Sequence, residues 1–496
     1  MSTNIGSDGV PDAFAGTGTA TVAPAGASLP RGEIGLLGVL MPGLAQVAPA
    51  FNLFFTTGLM AAFAGASVPL VFLISMVGLI ATAASLALFS GVFPSAGSFL
   101  TYIARSMGIR TSVVVGVITL LGYIIAFGGI YIFVGQYIVL NVLNDPHIWG
   151  ITQIVTIAYG ALVVAPVVIG LKFGVRTTVV LYVFEVVLLL ALAITVLAKG
   201  GASGLSATPF HWPGGSGTKD IFIAFSLAVL AFGGFEAAAP LAEEAREPRK
   251  TVPRAVLLAC LIIGIFYLFT TVAADAYVGP ANLQSFGGLG GGSPWILFAR
   301  QLWGWGWVIV FLAVVNSFFA NGNSALVAST RTWYAMSRIR LLPAAFERTS
   351  ARHASPVVGI AAQTSLTLLI ALPLALGYGP ATAFQLLATI LTAVMLGIYF
   401  VINLSSIGYY WRKQRDEFNW FLHLVLPAAG ALILVPVLAA AVGVGSSVLK
   451  FVSPLPYPIN EVGLAVGIWY VIGVGYLIYL LRTHPDRIRD MDKVFD

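Results

Sequence analysis

Apolar runs of about 20 residues or more recur from one end of this chain to the other. A helix rising 1.5 Å per residue needs a run of that length to cross a hydrocarbon core. Lipid offers the backbone no hydrogen bonds, so each run is expected to be a helix and the chain an all-α, polytopic membrane protein. The runs fall at 34–62, 68–92, 112–140, 149–170, 177–198, 221–243, 253–279, 297–329, 357–377, 382–410, 420–444 and 462–481, which predicts 12 transmembrane helices. Several exceed the minimum, which implies tilt or interruption, and only "AGASVP" separates the first two. Composition agrees: 58% of residues are hydrophobic and 9% charged, whereas a soluble domain carries about 25% charged residues to cover its wetted surface.

The net charge of +6 is a topology signal rather than a mark of nucleic-acid binding. With the N-terminus inside, the alternating loops place 21 of the 25 Lys and Arg on the cytoplasmic side; only Lys199, Lys219, Arg300 and Lys450 fall outside. An omitted helix would invert every loop after it, so the excess supports the layout and puts both termini in the cytoplasm. The chain is therefore expected to be a multi-pass protein of the cell (inner) membrane, in contact with membrane lipid. Residues 1–32 are rich in Gly, Ala, Thr, Ser and Pro and lack a basic segment followed by an apolar core, so they read as a disordered cytoplasmic tail. The transmembrane domain is then 33–481, and 482–496 a cytoplasmic C-terminal tail. The sole cysteine, Cys260, excludes an intramolecular disulfide. The histidines (His147, His211, His353, His423 and His484) have no metal-ligand spacing, and there is no phosphate-binding loop or nucleophile–base constellation. No catalysis, metal, cofactor or nucleic acid is expected.

Few ionisable residues lie within the runs. Glu185 stands in "LYVFEVVLLL", Glu236 follows a Gly-Gly-Phe, and Asp275 is near the outer end of the seventh run. A charge at membrane depth is costly and usually faces a cavity or a partner. Glu185 and Glu236 are thus functional candidates, the alternative for each being a hydrogen bond between helices. Two helix breakers occupy corresponding depths. Pro49 interrupts the first run between Gln46 and Asn52, and Gly233 with Gly234 weakens the sixth. Either could be a simple kink. As a pair, five helices apart, they are the sequence mark of a transporter built from inverted repeats with its site at the midplane. Each break exposes amide donors and carbonyl acceptors, and an amino acid zwitterion needs both.

"AFGGFEAAAPLAEEAREPRKTVPRA" (231–255) resembles the sixth-helix signature of the amino acid–polyamine–organocation (APC) permeases. "FPSAGSFLTYIARSMG" (93–108) is similar to their segment after the second helix, and "GVRTTVVLYVFEVV" (174–187) to the start of their fifth. "STRTWYAMSRIRLLPAAFERTSARHASPVVGI" (329–360) resembles the loop that leads into their ninth. The match covers roughly 33–415. The resemblance implies a five-plus-five inverted repeat with broken helices 1 and 6 and two extra helices. It implies a secondary permease that imports an amino acid, polyamine or related amine by alternating access. The coupling ion would be a proton, with sodium possible at the polar eighth run (Asn316, Ser317, Asn321, Asn323 and Ser324). An uncoupled exchanger and a non-transporting sensor are the alternatives. Substrate contact would fall on Ala48, Ala50, Phe51 and Asn52, on Phe232, Gly233, Gly234 and Phe235, and on Tyr123, Asn316 and Asn321. Glu236 would gate or organise the helices. Many members carry Gly-Ser/Thr-Gly where this chain has Ala50, Phe51 and Asn52, a departure that gives weight to a bulkier or amine-only substrate. Some proton-coupled members place a lysine where this chain has Glu185, which would then be the proton-coupling group.

Overall fold

The computed structural model describes residues 32–138, 150–169, 171–201, 204–214, 217–291, 293–350, 353 and 355–495. Residues 1–31, nearly all of the expected N-terminal tail, and His147 lie outside them. Among the described residues the regular structure is helical, and the sole β feature is a parallel bridge between Ile34 and Ala245. The α-helices of eight residues or more are α1 (Leu36–Val47), α2 (Thr57–Ala64), α3 (Val68–Val92), α4 (Phe99–Met107), α5 (Ile109–Ile138), α6 (Ile151–Ile169), α7 (Leu171–Ala198) and α8 (Gly217–Phe232). They continue as α9 (Pro248–Val278), α10 (Pro294–Trp303), α11 (Trp307–Arg338), α12 (Val357–Tyr378), α13 (Pro380–Lys413), α14 (Leu426–Ala441), α15 (Val462–Thr483) and α16 (Pro485–Phe495).

Among the described residues, eleven helical stretches are long and apolar enough to cross a membrane. The first, Leu36–Val92, has 57 residues, more than twice the roughly 20 that one crossing requires. Its backbone turns at Gly65, where φ is +54°, inside the "AGASVP" joint. The run expected at 297–329 is two helices. Gly304, with φ +54°, ends α10, and α11 starts only at Trp307.

At the centre, α1 packs against α7, α9, α11 and the 3-10 segment Phe235–Leu241. Around it α3 lies on α9 and α5 on α13, with α15 outermost against α5 and α13. The outer helix leaves Leu464, Ile468 and Val471 more than half exposed. In water such a stripe would be an aggregation hazard; in a polytopic membrane protein it meets acyl chains.

One end of the bundle collects the charge. Arg331 and Arg338 of α11 meet Glu244 and Glu243 at 3.1 and 3.0 Å, and Lys413 Nζ donates to the Arg105 carbonyl at 2.9 Å. At the same end the chain entering α1 runs beside the loop that leaves the sixth run. The amides of Glu33 and Ile34 donate to the Glu244 carbonyl at 2.9 and 3.1 Å, and the Arg246 amide donates to the Ile34 carbonyl at 2.8 Å. The expected C-terminal tail contains α16, whose Ile488 and Met491 are buried among Leu100, Ile109, Met336 and Leu341. Burying two such side chains contributes about 1.5–3 kcal/mol each, enough to dock the helix.

Candidate functional site

The first break is set by Pro49. A proline disfavours the right-handed helical region for the residue before it; Ala48 leaves that region and lies in the left-handed one, at φ +53°, ψ +67°. Helix α1 ends there with its Ala48 amide on the Ala45 carbonyl at 3.1 Å. The chain resumes at Pro49 and runs through a π turn, Asn52–Thr56, into α2. The carbonyls left free at the end of α1 are taken by side-chain amides. Asn321 Nδ2 donates to the Gln46 carbonyl, and Asn52 Nδ2 to that of Val47. The first amides of the outer half are taken by acceptors from other helices. Ala50 N donates to Glu185 Oε1 at 2.8 Å, and Phe51 N to Ser317 Oγ at 3.3 Å. Glu185 is fully buried, and Asn316 Nδ2 donates to its second oxygen at 3.2 Å and to the Leu181 carbonyl at 2.9 Å.

The second break is a glycine turn. Helix α8 ends at Phe232, and Gly234 takes φ +121°, a conformation that suits glycine alone. The following turns, Phe235–Leu241, are 3-10. The Ala231 carbonyl accepts from Asn52 Nδ2 at 3.3 Å and from the Tyr267 hydroxyl at 3.0 Å. Glu236 folds back on the break: its Oε2 accepts from Gly234 N and from the Tyr399 hydroxyl of α13, both at 2.9 Å. The two breaks touch. A Cβ on Gly234 would stand 2.7 Å from the Gln46 carbonyl carbon and 2.8 Å from Val47 N.

Between the breaks lies a cavity whose space for the centre of a water-sized sphere is about 80 Å³, room for several waters or a small solute. Of the expected site residues, Phe51, Asn52, Tyr123, Gly233, Gly234, Glu236 and Asn321 line it. Ala48, Ala50, Phe232, Phe235, Asn316 and Glu185 are not in its lining. Phe232 packs instead on Tyr267 and Phe72, Phe235 packs on Tyr399, and Asn316 turns to Glu185. Helices α5 and α13 add Thr119, Phe384 and Thr392, which the sequence reading missed because they belong to no motif. Gln46 also lines the cavity; it is 8% exposed, and its Oε1 accepts no hydrogen bond. Among the described lining residues there is no Lys, Arg or His, and Glu236 is the sole carboxylate.

Aromatic rings flank the cavity on one side, and the ion pairs stand at the charged end of the bundle. Away from the charged end, Phe51, Phe55, Phe133, Phe318 and Phe384 stack with neighbouring ring centres 4.4–5.8 Å apart. Beyond them opens a hollow of about 330 Å³ lined by Phe54, Phe55, Gln284 and Gln385. Toward the charged end stand the Glu243–Arg338 pair and the Glu244–Arg331 pair, the latter with both side chains 1% exposed. Among the described residues no group of three His, Cys, Asp or Glu is arranged to hold a metal.

The sequence profile of the family described as "Amino acid permease" matches residues 38–487. The low-affinity putrescine importer PlaP of Escherichia coli (strain K12) is 25% identical over 481 residues, covering 94% of this chain and 97% of that protein. The branched-chain amino acid permease BcaP of Bacillus subtilis (strain 168) is 24% identical over 347 residues, 66% of this chain and 71% of that protein. The general amino-acid permease GAP1 of Saccharomyces cerevisiae is 29% identical over 205 residues, 38% of this chain and 33% of that protein. With two interrupted helices meeting around a cavity and a family match along nearly its whole length, this chain belongs to the amino acid permeases, transporters of the APC superfamily.

Proposed function

We propose that the chain is a secondary transporter that imports an amino acid or a related amine by alternating access, driven by protons. The observation that carries this reading is the pair of breaks, at Ala48 and at Gly233–Gly234, enclosing one cavity. In this reading the protein spans the cytoplasmic (inner) membrane twelve times, Leu36–Val92 counting as two crossings, with both termini in the cytoplasm. The membrane domain is 33–481, built as a five-plus-five repeat. The aromatic cluster and the ion pairs are its two gates, aromatic on the outside and ionic on the inside.

Substrate sits against the breaks and is held by Phe51, Asn52, Gly233, Gly234, Tyr123 and Asn321. Ala48, Ala50, Phe232, Phe235 and Asn316 shape the breaks from behind. Glu236 ties the second break to α13 through Tyr399 and so links occupancy to gate movement. Glu185 exchanges the coupling proton. It ties α7 to α11 and to the outer half of the first broken helix at Ala50 while dry, and when the inner or outer path hydrates, a proton can reach or leave it. Relatives named for putrescine and for branched-chain amino acids set the first substrates to try.

The test is uptake into proteoliposomes of labelled putrescine and leucine, with and without an acidic exterior and with sodium replaced by choline. The expected result is accumulation of at least one substrate, raised by the proton gradient and indifferent to sodium. Uptake that needs internal substrate and ignores the gradient would identify an exchanger. No movement of either substrate or of a wider amino acid and amine panel would overturn the transport reading.

A further inference from the structure

We propose that the transport site selects small organic cations that lack a carboxylate, because the chain's own Glu185 occupies the place where a carboxylate would be held. The inference rests on the transport reading above and narrows its substrate class. A zwitterion needs donors for its carboxylate and acceptors for its ammonium. At the first break the donors are the opening amides of the outer half, residues 49–64. Pro49 contributes none. Those of Ala50 and Phe51 already point at Glu185 Oε1 and Ser317 Oγ, 2.8 and 3.3 Å away. Glu185 is held there by Asn316 and is wholly buried, so it is a fixed part of the break rather than a passing occupant. An incoming carboxylate would find these donors already in use.

What faces the cavity instead is acceptor chemistry. Glu236 is the sole carboxylate in the described lining, with no Lys, Arg or His to neutralise it. Gln46 Oε1 is a buried acceptor without a donor, and a buried polar atom left unpaired is costly enough to mark a missing partner. An ammonium supplies donors to both and asks for none. The apolar remainder of the lining, Phe51, Ile130, Phe384 and Leu387 among it, suits a short carbon chain.

The decisive probes are pairs that differ by one carboxylate: ethanolamine and serine, isobutylamine and valine, putrescine and ornithine. Thermal unfolding of the purified full-length protein would be followed against each, and competition among them measured in proteoliposomes. The amine of at least one pair should bind, with its carboxylated partner about tenfold weaker or more, because the partner must bury an unpaired anion. Equal or tighter binding of serine, valine or ornithine would overturn the inference and leave the transport reading standing. If no member of any pair binds or competes, the inference falls, while the wider panel above decides the transport reading. Glu185→Ala, which releases the two amides, should shrink the amine-to-amino-acid ratio about tenfold; an unchanged ratio in a folded variant would also count against the inference. Should that variant fail to fold, the wild-type pairs decide the matter alone.

Discussion

At Gly234 the smallest possible enlargement is already too large. Its φ excludes other residues at little cost, and a Cβ would press on the backbone of Gln46 and Val47 rather than on a yielding side chain. Overpacking of this kind costs about 1–3 kcal/mol. Gly234→Ala should therefore insert and purify normally yet lose most transport, read as initial uptake per molecule of folded carrier. Glu236 predicts a different pattern. Glu236→Gln keeps the shape and one acceptor for Gly234 N and the Tyr399 hydroxyl, so turnover should fall more than affinity. Tyr399→Phe should produce a milder version of the same split; a pure loss of affinity in both would place Glu236 in direct substrate contact. For Glu185 the expected outcome of Glu185→Gln is intact counterflow with no accumulation driven by a pH gradient. Accumulation that persists with protons as the available ion would remove Glu185 from the coupling path.

Among elements, the interrupted helices were legible and their surroundings were not. Pro49 and the Gly233–Gly234 pair announce breaks because their backbone preferences are local. Even the offset has a local cause: a proline disfavours right-handed helix at the residue before itself, here Ala48. The carboxylates at depth were also legible, but not their partners. Glu185 meets Ala50 across 135 positions of sequence and Glu236 meets Tyr399 across 163, and apolar periodicity carries no register between helices. The eighth run was placed too early because the Trp-rich turn at Gly304 carries no charge to mark the interruption before the helix that starts at Trp307. The aromatic layer was not foreseen either, since its five phenylalanines come from four separate runs. It makes a prediction at this scale. Phe384→Ala should open the outer exit, so that a cysteine placed at Thr119 reacts faster with a membrane-impermeant thiol reagent applied from outside. Unchanged labelling would show that the ring does not seal the cavity.

For the whole molecule, the ion pair at the charged end is the test of how the two halves close. Arg331 and Glu244 are each 1% exposed, and removing one partner of such a pair strands a buried charge at a cost of about 3–5 kcal/mol. Arg331→Met should therefore lower the unfolding midpoint sharply, while Arg331→Met with Glu244→Gln should recover much of the loss. A double variant as unstable as the single would mean that the arginine acts through packing rather than charge. The main-chain strap between residues 33–34 and 244–246 has the opposite character. Its donors and acceptors are peptide groups, so exchanging a side chain, even Glu244 with its ion pair or Arg246 with its bond to the Gly32 carbonyl, leaves the strap's own bonds in place. A substitution scan would report the Glu244 ion pair and leave the strap itself unseen. Proline alone would tell otherwise, at Glu33, Ile34 or Arg246, by deleting the N–H that holds the entrance of the first broken helix to the exit of the second. The tie is thus invisible to comparison of sequences: it can outlast the identity of every residue that forms it.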